Sequence, residues 1–98
     1  MEKLQELDPI IHSRIRLSIL SILISVKKAD FVYLKEATGT TDGNLSTHLT
    51  KLENAEYVKI TKEFVGKKPR TTCSITNKGK EAFSKYVKTL ELFIHPNS

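Results

Sequence analysis

Asn44, Ser46, Thr47, His48, Thr50, Lys51 and Asn54 place seven polar side chains within eleven residues. Five are neutral hydroxyls or amides, joined by one imidazole and one ammonium. Such groups offer hydrogen-bond donors and acceptors at close spacing; they do not by themselves break covalent bonds. The patterns that would do so are not found in the sequence: no acid/base carboxylate pair, no Ser-His-Asp set, no phosphate-cradling glycine loop and no metal-ligand set. The reading is therefore non-enzymatic, with no cofactor and no metal. His48 is open to a second use as a lone metal ligand or pH switch, but no Cys, His or acidic partner stands at ligand spacing.

A second cluster follows directly. Lys59, Lys62, Lys67, Lys68 and Arg70 face a single acid, Glu63, a net charge of +4 within twelve residues. The whole chain of 98 residues carries only +5, so this stretch holds most of the excess. Concentrated cations suit a phosphate backbone. The plainer alternative is a solvated loop.

Length and composition set the frame for both clusters. Ninety-eight residues with 39% apolar and 28% charged side chains suffice for one domain with a modest core. A single domain over 1–98 is expected. One cysteine, Cys73, cannot form an internal disulfide. The most apolar run, Leu17 to Val26, is ten residues long and bracketed by Arg14, Arg16, Lys27 and Lys28, whereas a membrane span needs about twenty. A cytoplasmic protein without a membrane partner is expected.

The elements that must position these residues can be read from periodicity and punctuation. Asp8-Pro9 reads as a helix start, with Ile11, Ile15, Ile19, Ile22, Leu23 and Val26 following at helical spacing. Leu4 and Leu7 suggest a short lead-in helix. Asp30-Phe31-Val32 reads as a brief strand and Tyr33 to Thr38 as a second helix stopped by Gly39. Thr40-Thr41-Asp42 then caps a third helix from about Asp42 to Asn54. Tyr57 to Val65 and Arg70 to Ile75 have strand character and are joined by Gly66-Lys67-Lys68-Pro69. Asn77 caps a last helix running to about Ile94. The fold class is mainly α with a small antiparallel sheet (α+β), in the order of a winged helix-turn-helix.

That order gives both clusters a purpose. Leu45, Leu49 and Leu52 fall within an arc of roughly 60° on the third helix, which leaves the polar residues on the rest of its surface. Ser, Thr, Asn and Gly are poor helix formers, so their abundance is sensible if this face approaches base edges in a major groove. Asn44, Thr47 and His48 are the candidates for bases, Lys51 for a phosphate, and Thr41 and Ser46 for phosphates near the helix start. In the hairpin, Lys62, Lys67, Lys68 and Arg70 are candidates for the backbone or the minor groove. Arg70 is preferred for the minor groove, since narrow A·T-rich grooves favour arginine.

Leu7-Asp8-Pro9-Ile10-Ile11-His12 with Arg16-Leu17-Ser18-Ile19-Leu20, the run from Leu34 through Thr41-Asp42-Gly43-Asn44-Leu45-Ser46-Thr47-His48-Leu49 and Lys51-Leu52-Glu53, and Gly66-Lys67-Lys68-Pro69-Arg70-Thr71-Thr72 with Thr76-Asn77-Lys78-Gly79 resemble a compact winged helix-turn-helix regulator family related to the MarR and ArsR groups. The similarity spans about Leu7 to Phe83. It implies a DNA-binding homodimer acting in transcription, usually without a cofactor. One departure stands out: Glu56 occupies a position where relatives place Gly to end the third helix, at a cost of roughly 1 kcal/mol if the left-handed conformation is kept.

Phe83, Tyr86, Val87, Leu90, Phe93 and Ile94 give the last helix more apolar surface than a hairpin and one helix can cover. With Leu4, Leu7 and Ile10 they suggest an interface between two copies built from the chain ends, about 1–12 and 84–95. Completion of the monomer core is the alternative. Cys73 alternates with Thr71 and Ile75 and is expected to face inward as a small hydrophobe rather than a redox sensor. The function read from the sequence is sequence-specific binding of double-stranded DNA as a homodimeric regulator, a repressor in preference to an activator. The competing reading is a winged helix docking module that does not bind DNA, which predicts an apolar or acidic third-helix face. No residue pattern identifies a small-molecule effector.

Overall fold

The computed structural model describes residues 6–96. Along the chain lie α1 (Arg14–Val26), β1 (Lys28–Asp30), α2 (Phe31–Thr38), α3 (Asp42–Asn54), β2 (Val58–Val65), β3 (Lys68–Ile75) and α4 (Asn77–Ile94). This is the expected mainly α fold with a small antiparallel sheet, and its boundaries differ from the sequence reading in instructive places.

Asp8-Pro9 does not start α1. The Asp8 carboxylate accepts from the Ile10 amide at 2.9 Å, and its carbonyl accepts from Ile11 and His12. These bonds close one isolated turn. Ser13 then returns to extended backbone and its hydroxyl accepts from the Arg16 amide, so it caps the helix that begins at Arg14. Ile11 is fully buried all the same, off the helix but within the core. The lead-in helix read from Leu4 and Leu7 falls mostly outside the described residues.

β1 also begins earlier than expected, at Lys28. The Asp30 carboxylate accepts from the Tyr33 amide at 2.7 Å, which makes Asp30 the cap of α2 and draws Phe31 and Val32 into that helix. Gly39 closes α2 in the left-handed conformation, as its position implied. Thr41 caps α3 by accepting from the Asn44 amide. At the other end of the sheet the cap of α4 is Thr76, one residue before the expected Asn77.

The sheet order is β1-β3-β2, antiparallel throughout. β2 and β3 pair along their whole length, from Val58 opposite Ile75 to Val65 opposite Lys68. The connection is therefore a two-residue Gly66-Lys67 turn rather than four residues. Gly66 has φ +66°, in keeping with a hairpin turn whose first central residue is glycine. Pro69 lies inside β3, opposite Phe64. It is tolerated there because β1 stops at Asp30, opposite Thr72, leaving the outer part of β3 without a second neighbour.

One core joins the layers. Ile11, Ile19, Leu20 and Leu23 from the N-terminal region, Leu34 from α2, Leu45 and Leu52 from α3, and Cys73 from β3 are essentially inaccessible. Burying a leucine contributes roughly 1.5–3 kcal/mol, so Leu45, Leu49 and Leu52 fix how α3 is rotated about its axis. The polar face of α3 is what remains outside.

Candidate nucleic-acid interface

With its leucines inward, α3 exposes Asp42, Gly43, Asn44, Ser46, Thr47, Thr50, Lys51 and Asn54, while His48 is half-buried. Two hydroxyls are already committed to the helix. Thr41 accepts the capping bond, and the Thr47 hydroxyl donates to the Gly43 carbonyl at 3.0 Å. Thr47 thus presents lone pairs and a methyl group outward, a combination suited to an amino donor or a thymine methyl. Asp42 in the first turn would repel a phosphate, but Lys35 from α2 pairs with it at 2.9 Å.

His48 has the least expected surroundings. Its Nδ1 lies 2.9 Å from Nη1 of Arg16. Arg16 belongs to α1, and its Nε also donates to the Ile10 carbonyl at 2.5 Å. Burial, and then the positive charges of Arg16 and Lys51, push the His48 imidazole below its ordinary pKa. Sequence reasoning did not assign Arg16 to the site. Its only signal is a cation at the edge of the apolar run that starts at Leu17, and its partner is 32 positions away.

The hairpin supplies the cations. Residues 61–70 are exposed throughout, and those beyond the end of β1 extend the two-stranded ribbon by about 13 Å. Lys67 stands in the turn and Lys68 opens β3 beside it. Lys62 sits opposite Thr71, lower on the ribbon. Together with Phe31, Lys62 and Thr71 line an open groove whose other wall carries Ser46, Leu49, Thr50 and Glu53 of α3. The polar helix face and the root of the ribbon therefore flank one depression.

Arg70 is placed differently from the other three. It is not at the tip but on β3 opposite Glu63, and its Nη2 lies 3.3 Å from Oδ2 of Asp30. The pair is partly exposed, and such pairs contribute about 0–1 kcal/mol. Asp30 keeps its capping bond to Tyr33 through its other oxygen.

The family model for a winged helix DNA-binding domain matches residues 15–94. The chain belongs to this family. An uncharacterized protein from Methanocaldococcus jannaschii is 41% identical over 78 residues, covering 80% of this chain and 85% of the relative. Among solved structures, a transcriptional regulator homologue from Pyrococcus horikoshii OT3 superposes with a TM-score of 0.82 at 31% identity, covering 89% of this chain and 86% of that one. A mutant of MarR from E. coli, solved in complex with operator DNA, superposes with a TM-score of 0.70 at 15% identity, covering 86% of this chain and 58% of that one. At that identity the likeness is one of fold. Family and fold are those of DNA-binding transcriptional regulators, with MarR-family proteins among the structural neighbours.

In winged helix terms, α2 and α3 form the helix-turn-helix and the β2–β3 ribbon is the wing. The residues proposed for pairing of copies separate into groups. Leu4 lies outside the described residues. Leu7, Ile10 and Leu90 are half-buried against the core. Tyr86 is buried in its own chain, with its hydroxyl 2.9 Å from His12 Nδ1. Phe93 and Ile94, with Leu92, stay exposed at the end of α4. Cys73 faces inward, and burial followed by the charge of Glu53 raises its thiol to about 12. Among the described residues no helix is long and apolar enough to cross a membrane, and no group of three or more His, Cys, Asp or Glu side chains is placed to hold a metal.

Proposed function

We propose that this winged helix protein is a single-domain, homodimeric, sequence-specific regulator of transcription, acting as a repressor by occupying double-stranded DNA. In this reading α3 enters the major groove. Asn44, Thr47 and His48 meet bases, while Lys51, Thr41 and Ser46 meet phosphates. Lys62, Lys67 and Lys68 follow the backbone beside it, and Arg70 exchanges Asp30 for the minor groove. The observation that carries the reading is the depression shared by Ser46 and Thr50 of α3 and Lys62 and Thr71 of the wing. It sets two hydroxyls of the polar helix face beside the lowest cation of the wing, with Glu53 as the one acid on its wall. The wing continues from there to Lys68 and Lys67, so that a groove edge and its phosphates would be met side by side.

Homodimerisation is supported by Leu92, Phe93 and Ile94, an exposed apolar end to α4. A dimer would set two copies of α3 about one helical turn of DNA apart, roughly 34 Å. The test is selection of bound fragments from random duplex DNA, with sedimentation of the free protein. A near-palindromic consensus bound by two chains is the expected result. Binding that is weak, unaffected by salt and without any enriched sequence would reject the reading in favour of a protein-docking module.

A further inference from the structure

The Arg16–His48 contact joins α1 to the face of α3 proposed to meet DNA. We propose that Arg16 is a positioning residue for sequence readout: it fixes the His48 ring as the tautomer that carries its proton on Nε2, so that His48 offers a base edge one donor and no acceptor. The base side of this inference rests on the DNA-binding reading; the tautomer does not.

The argument begins with the chemistry of the two groups. A guanidinium has only donors. The ring nitrogen 2.9 Å from Arg16 Nη1 must therefore supply a lone pair, and the structure makes that nitrogen Nδ1. A neutral imidazole with its lone pair at Nδ1 carries its proton on Nε2. Nε2 has no hydrogen-bond partner among the described residues. Arg16 is itself well anchored: Nε donates to the Ile10 carbonyl and Nη2 to the Pro9 carbonyl. These carbonyls belong to the turn that Asp8 closes just before α1. The charges that face the ring, Arg16 from α1 and Lys51 from α3, both oppose its protonation. In the major groove the acceptors open to such a donor are purine N7, guanine O6 and thymine O4, whereas the amino groups of adenine and cytosine are excluded.

The first arm of the test needs no DNA. In the full chain, ¹⁵N NMR of the imidazoles at neutral pH is expected to find Nδ1 of His48 unprotonated and Nε2 protonated. In Arg16→Met the ring is expected to mix tautomers and to titrate closer to the ordinary imidazole value. A ring in the wild type that carries its proton on Nδ1, or is charged at neutral pH, overturns the proposal.

The second arm uses the DNA selected above. Arg16→Met is expected to lower the ratio of specific to non-specific affinity about fivefold to tenfold per bound chain, the scale of one hydrogen bond, with the salt slope unchanged. In a His48→Gln background the same substitution should cost no further selectivity. A fall of about 0.9 in the salt slope per chain would make Arg16 a direct phosphate ligand instead, and unchanged selectivity would remove the readout role; either result overturns the proposal. If no DNA sequence is enriched, the functional reading fails and the readout role with it, while the NMR arm still decides the tautomer.

Discussion

Lys67→Ala removes one cation from the wing turn and nothing else of consequence. The side chain is exposed, the Gly66 that sets the turn is untouched, and no core residue is involved. The consequence can be worked out per wing. On B-DNA each phosphate neutralised by a protein cation contributes about 0.9 to the slope of log affinity against log salt. A homodimer carries two wings, so Lys67→Ala should lower the slope by about 1.8, against about 0.9 for a protein that binds with one wing. Between 50 and 200 mM salt, the ratio of wild-type to mutant affinity then shrinks about twelvefold for two wings and about 3.5-fold for one.

The assay is fluorescence anisotropy on one labelled duplex across at least four salt concentrations. Lys80→Ala serves as the charge-matched control, since it removes the same charge from an exposed position on another element, α4. A steep wild-type slope that Lys67→Ala leaves unchanged would refute the placement of the wing on the backbone. A change near 0.9 would keep the wing and refute the dimer. Substitution on a non-cognate duplex should give the same change, because the contact carries no sequence information.

Three further predictions concern the scaffold. Gly79→Ala should destabilise the protein by about 2 kcal/mol or more in urea unfolding, because the added methyl overlaps the Tyr57 carbonyl and lies 3.0 Å from Ile75 Cγ1; a loss below about 0.5 kcal/mol would show that α4 shifts freely. Glu56→Gly should stabilise by about 0.5–1 kcal/mol, since Glu56 holds φ +64°, and an unchanged urea midpoint would refute the strain. Above about pH 9 stability should fall as pH rises, because burial holds the Cys73 thiol and the Tyr57 phenol at about 12 in the folded chain while both ionise earlier when unfolded, near 8.5 and 10. The two contributions are complete below those unfolded values and lost by about 12; urea midpoints from pH 7 to 10.5 check this, and Cys73→Ala should flatten the first part of the decline.

The parts of this fold that local chemistry decides were readable from the sequence. The leucine spacing at 45, 49 and 52, the Gly39 stop and the Thr41 cap each act within a few residues, and all three act in the structure. The Glu56 departure was readable for the same reason: a residue at that point of a helix exit meets the left-handed conformation whatever the rest of the chain does. What stayed hidden depends on distant partners. Asp30 can end a strand or cap a helix, and the choice shows only when Lys28, Ala29 and Asp30 pair with Ser74, Cys73 and Thr72. Arg70 is a wing cation by composition, yet Asp30, 40 positions earlier, is what holds it. Asp8 and Ser13 both offer caps, and Asp8 is diverted to a turn and to the Tyr57 hydroxyl, 2.5 Å away.

The Glu56 and Gly79 substitutions act on one junction, and that junction bears on how copies of α3 would be spaced. The Tyr57 amide donates to the Leu52 carbonyl and the Glu56 amide to that of Glu53, closing α3 with the chain turned sharply into β2. The Thr76 amide then donates to the Tyr57 carbonyl, and its hydroxyl to the Glu56 carbonyl at 2.6 Å. The same hydroxyl accepts from Gly79 and so starts α4. The exit of α3, the root of the wing and the entry of α4 are thus tied by a few hydrogen bonds around one side chain. α4 is seated on the core further along through Tyr86 and Leu90, and this junction fixes where it starts relative to α3. If copies pair through α4, as proposed, this junction and that core packing together set the separation of their α3 helices. Glycine at 79 is required because the tie brings α4 too close to Tyr57 for any side chain, and the carbonyl of Glu56, the residue at positive φ, is one of the groups Thr76 holds.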